Sequence, residues 1–68
     1  MDDNRSLRIT ALESYIPLTR TQISRMEVVL NSSNYSPEEK ERASGDLQKA
    51  TADLKEMLNE LDKLRAQL

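Results

Sequence analysis

Small or apolar side chains recur along this chain in alternating steps of three and four. The first series is Ile9, Leu12, Ile16, Thr19, Ile23, Met26 and Leu30, and the second is Ala43, Leu47, Ala50, Leu54, Met57, Leu61, Leu64 and Leu68. Thr19 is the only polar member of either series. Such spacing marks the a and d positions of a coiled-coil seam. With Leu47, Leu54, Leu61 and Leu68 at a, the second seam places Ala43, Ala50, Met57 and Leu64 at d. The two seams predict two helices, residues 5–31 and 37–67, joined by a loop at 32–36.

Pro17 falls inside the first series. Proline lacks the N–H that would bond the carbonyl of residue 13, and within a helix it costs about 3 kcal/mol. The heptad phase nevertheless runs through it without a slip, and Pro17 lands at a b position, away from the seam. A chain that turned at the proline would have no reason to keep count. One continuous first helix, kinked at Pro17, is therefore expected. The competing arrangement starts a new helix with Ser14 as its N-cap and gives three helices.

The boundary between the helices lies in NSSNYSPEEK, residues 31–40. Asn31 and Asn34 tolerate the left-handed backbone with which helices often end. Ser36, Pro37 and Glu39 form the pattern of a capping box with proline at the first helical position. Glu38, Glu39 and Glu41 place negative charge at the positive end of the second helix, and Lys63 and Arg65 lie near its negative end. Gly45 occupies an outward f position, where it weakens the helix by about 1 kcal/mol relative to alanine.

So short a loop makes the helices antiparallel. In the register that uses the whole second helix, Leu12 meets Leu61, Ile16 meets Met57, Ile23 meets Ala50 and Met26 meets Leu47. A one-heptad slip would shorten the turn and strand the last eight residues. One seam does not use every apolar residue: Leu7, Ala11, Tyr15, Leu18, Val28, Val29 and Leu58 lie off it. The expected architecture is therefore all-α, a coiled-coil-like antiparallel helical hairpin forming a single domain, which dimerises into a four-helix bundle to cover those flanks.

Composition narrows the chemistry. The 68 residues include no cysteine and no histidine. Disulfides, thiolate or imidazole metal sites and imidazole acid–base catalysis are thereby excluded, and no enzyme activity, cofactor or metal is expected. The aromatic residues are Tyr15 and Tyr35, so aliphatic residues and Met1, Met26 and Met57 must build the core. The longest apolar run, Val28-Val29-Leu30, is far too short to span a bilayer or form a signal peptide, which points to a soluble, cytoplasmic chain with no membrane partner.

Ten basic and twelve acidic residues give a net charge of −2 and no general attraction to nucleic acid. Arg8, Arg20 and Arg25 fall at g, e and c positions, scattered around the first helix with Glu13 and Glu27 between them. The segment SGDLQ, residues 44–48, resembles the Ser-x-x-Leu-Asp signature of small helical-hairpin phosphatases that act on sporulation response regulators. The acidic position of that signature is Gln48 here, so the resemblance implies a related scaffold without the activity.

The reading that follows is a small protein-binding module, an adaptor, inhibitor, co-chaperone or assembly factor. It would act through its own self-association and through an unidentified protein partner, using Tyr15, Leu18, Val29, Leu58 and Tyr35 as contacts. Two alternatives are an RNA-binding hairpin dimer and an oligomer that sequesters a small nucleotide.

Overall fold

The computed structural model describes residues 2–67 and consists of two antiparallel helices, α1 (Asp2–Asn31) and α2 (Pro37–Ala66). Met1, counted above among the core methionines, and Leu68, the last position of the second seam, lie outside the described residues. The backbone of α1 is already helical at Asp2, ahead of the first seam residue, because no proline or glycine interrupts Asp2–Arg5. At the other end α2 stops at Ala66, where the Gln67 amide donates to the carbonyl of Leu64 at 3.3 Å.

α1 passes through Pro17 as one helix. Ser14 does not cap a new one: its hydroxyl donates to the Thr10 carbonyl at 3.1 Å, four residues back within the same helix. Phase agreement over three seam residues before the proline and four after it thus counts for more than the local breaker, because burial of the seam rewards continuity along the whole length of α1.

The turn is Ser32–Ser36. No residue in it takes up the left-handed backbone anticipated at Asn31 and Asn34; among the described residues none has positive φ. Two other bonds end the helix instead. The Ser32 amide donates to the Val29 carbonyl at 3.3 Å, and the Ser32 hydroxyl accepts from the Asn34 amide at 3.2 Å. The start of α2 is the capping box read from the sequence. Ser36 has extended backbone, its hydroxyl accepts from the Glu39 amide at 3.2 Å, and the Glu39 carboxylate accepts from the Ser36 amide at 3.3 Å.

Every described seam position is buried or half-buried, which is what two helices facing each other along matching stripes require. The tightest packing surrounds Leu12, which is 1% exposed, together with Ile16 and Leu61; Ile9, Leu54, Met57, Leu58 and Leu64 close over them. Toward the turn the buried positions are the two alanines Ala43 and Ala50. Leu12 and Leu61 belong to one cluster and the Arg5 guanidinium donates to the Gln67 carbonyl at 3.2 Å, so α2 is used to its end. The full-length register is the observed one, and the slipped register is not.

The molecule measures 50 × 15 × 13 Å, and its radius of gyration of 15.5 Å exceeds the roughly 11 Å of a compact chain of this length. Among the described residues, no helix is long and apolar enough to cross a membrane.

Candidate interaction surface

An antiparallel hairpin has two flanks, and an ion pair identifies each. On one, Arg8 and Glu60 form a forked pair with both bonds at 2.8 Å. On the other, Arg65 lies 3.8 Å from Glu13. Heptad spacing then fixes what faces what along the first flank. Moving seven residues up α1 and seven down α2 from Arg8 and Glu60 gives Tyr15 with Asp53, then Gln22 with Asp46, then Val29 with Glu39.

The surface bears this out. Tyr15 and Asp53 line one depression of about 340 Å³ with Arg8, Thr19, Met57 and Glu60. Gln22 and Asp46 line a second, of about 330 Å³, with Met26, Lys49 and Ala50. Val29 and Glu39 line a third, of about 250 Å³, with Tyr35 and Arg42. Asp53 is shared by the first two, and Met26 and Asp46 by the last two, so the depressions join into one shallow groove along the flank.

Of the residues read from the sequence as contacts, Tyr15, Val29 and Tyr35 come together in this groove. Leu18 stands 61% exposed on the same side of α1, about 60° further from α2 than Tyr15. Leu58 is not among them. It is half-buried against the Leu12 cluster, and at three residues before Leu61 and seven before Arg65 it leans toward the opposite flank.

No family model matches the chain, and no curated protein or solved structure matches it.

α1 therefore has a second apolar stripe besides its seam. Leu7, Ala11, Tyr15 and Leu18 fall within about 80° of one another on the helix surface, and α2 leaves Leu7 67% and Tyr15 54% exposed. Val28, 64% exposed, stands apart from that stripe. Ser44 and Gln48, from the phosphatase-like segment, lie outside the residues that line the groove.

The α2 wall of the groove carries a feature that residue counting concealed. Glu39, Asp46, Asp53 and Glu60 repeat at intervals of seven, so every g position from the start of α2 to Glu60 is acidic. The signal for it in the sequence is charge ordered by heptad position, the same order that the apolar residues follow. Two rungs of this ladder have partners: Glu60 holds Arg8, and Glu39 closes the capping box. Asp46 and Asp53 face the neutral Gln22 and Tyr15, and neither has a cation within ion-pair distance among the described residues. Glu56 adds a third such carboxylate. Arg8 is held in its charged form by the Glu60 hydrogen bond and charge, and Glu60 is held below its ordinary value by the Arg8 hydrogen bond.

Proposed function

We propose that this hairpin is a non-enzymatic protein-binding module that works by completing a helical bundle on its Tyr15 flank. The observation that carries this reading is the second apolar stripe of α1, which α2 leaves uncovered. Stripes of this kind on one helix face are how helices recognise other helices.

Self-association into a four-helix bundle is part of the proposal. A compact 7.8 kDa protein exposes about 4,400 Å², whereas this chain exposes 5,403 Å². The excess of about 1,000 Å² is close to the roughly 800 Å² that each partner buries in an ordinary interface. Leu7, Ala11 and Leu18, on the outer side of α1, are the residues proposed to meet a second copy. A bend of α1 near Pro17 belongs to the same proposal. Its support is the missing N–H of Pro17 together with two flanking hydroxyls that bond back along the helix, Ser14 to Thr10 and Thr21 to the Pro17 carbonyl at 3.0 Å, since such back-bonding bends helices.

The unpaired carboxylates of the groove repel phosphate, so a nucleic acid or nucleotide is the poorer occupant. Sedimentation of the wild type and the double variant Leu7→Arg/Leu18→Arg tests self-association. The wild type is expected to sediment at twice the mass of the variant at micromolar concentrations, with helicity equal in both because neither leucine is buried. A wild type that stays monomeric throughout removes the second copy from the proposal.

A further inference from the structure

We infer that the groove takes one amphipathic helix of a partner protein, about 21 residues long, whose aliphatic edge lies on α1 and whose other edge carries arginine or lysine every seventh residue. The inference rests on the protein-binding reading above and adds the partner's chemistry.

The two walls of the groove differ in kind. The α1 wall offers Tyr15, Met26 and Val29, with Leu18 beside them, and supplies one cation, Arg8, which Glu60 already occupies. The α2 wall offers acids at a strict seven-residue repeat, about 10.5 Å apart along the helix. Asp46 and Asp53 sit on the two central rungs, where the facing residue of α1 is neutral. In an antiparallel pair of helices these rungs are where opposite charges ordinarily meet, as Arg8 and Glu60 do at the end of the same row. The hairpin therefore carries half of a charge register whose other half it does not contain. Arg42 and Lys49, the cations that α2 adds to the groove, offset two of the four carboxylates there that have no cation partner among the described residues, Glu39, Asp46, Asp53 and Glu56, and leave the groove acidic.

A third helix laid along the groove spans from the Arg8–Glu60 end to the Val29–Glu39 end, which is 21 residues on either wall, or about 32 Å. Cations at a seven-residue repeat on such a helix meet Asp53 and Asp46 in turn, while its neighbouring aliphatic edge covers Tyr15, Met26 and Val29. A second copy of this chain does not supply that helix. Its basic residues at seven-residue spacing are Arg42, Lys49 and Lys63, interrupted by Glu56, and the acidic row lies beside them where an aliphatic edge is needed. Its first helix scatters Arg8, Arg20 and Arg25 around the axis.

The test uses three stapled 21-residue helical peptides with one leucine edge and with arginine, glutamine or glutamate at the three heptad positions of the other edge. Binding to the full chain is read by fluorescence anisotropy. The arginine peptide is expected to bind about tenfold or more tighter than the glutamine peptide at low salt, with the gap closing as salt rises. The double variant Asp46→Lys/Asp53→Lys, whose side chains make no intramolecular bond, is expected to keep its helicity and to prefer the glutamate peptide instead. Equal affinity for arginine and glutamine peptides overturns the charge chemistry and leaves bundle completion standing. No binding by any peptide, with a Tyr15→Arg variant that abolishes self-association, makes the groove an interface between copies and overturns the inference. No binding with a monomeric wild type overturns both this inference and the protein-binding reading.

Discussion

The guanidinium of Arg8 grips the carboxylate of Glu60 through two parallel bonds of 2.8 Å, tying the first third of α1 to the last third of α2. A forked pair fixes geometry as well as charge, and lysine in its place keeps only the charge. The hydrogen bond from Arg8 holds the Glu60 carboxyl below its ordinary 4.5, desolvation opposing and the Arg8 charge assisting. Because the folded value is lowered, the stabilisation is fully present above about 4.5 and disappears as pH falls through the lowered value. Carbon-detected NMR titration should therefore place the Glu60 midpoint below its ordinary value. The midpoint should rise in Arg8→Lys and return to ordinary in Arg8→Ala; an unmoved midpoint in Arg8→Ala would refute the pairing.

Leu12 and Leu18 are six residues apart on one helix and differ in consequence. Leu12 is 1% exposed at the centre of the core cluster, and truncating such a leucine costs about 2–5 kcal/mol. For a hairpin this small that is most of the available stability, so Leu12→Ala is expected to abolish the cooperative thermal transition seen by circular dichroism. Leu18→Ala should leave the transition of a dilute sample within about 0.5 kcal/mol of wild type, as surface changes do. Equal losses in the two variants would mean that Leu18 is covered even at low concentration.

Pro17 and Gly45 are each helix-weakening residues on outward positions, and both should be correctable. Pro17→Ala restores the N–H that the Glu13 carbonyl lacks and is expected to stabilise by roughly 1–3 kcal/mol. Gly45→Ala adds a methyl group that meets nothing within 4 Å and should contribute about 0.5–1 kcal/mol. Urea unfolding with an unchanged slope checks both. If Pro17→Ala also lowers self-association while raising stability, the proline is there to shape α1; no change in association would separate the bend from the interface.

What the sequence made legible was whatever burial repeats. Ile9 to Leu30 and Ala43 to Leu64 are the sealed seam because apolar side chains at three- and four-residue steps have only one face to share. Ser36 and Glu39 were equally readable, since a cap needs two residue types at one spacing. The end of α1 was less so: Asn31 permits a left-handed turn without requiring one, and Ser32 offered the chain another way to close. Leu58 packs closer to the core than its off-seam position predicts, for a related reason. Its distance from the seam on a helical wheel is modest, and a leucine is long enough to reach the cluster around Leu12. The ladder from Glu39 to Glu60 is invisible in the acid content of a region and emerges only by heptad position.

The contrast between Leu12 with its leucine and isoleucine neighbours and the alanines Ala43 and Ala50 near the turn makes the hairpin's grip uneven from end to end. Large side chains and a forked ion pair hold one pole, whereas at the other the buried positions are alanines and the larger seam residues Met26, Leu30 and Leu47 are half-buried. For the docking helix proposed above, this distribution of bulk would make the end beside Tyr35 the place to begin, with zippering along the rod toward Leu12 as the route in place of insertion all at once.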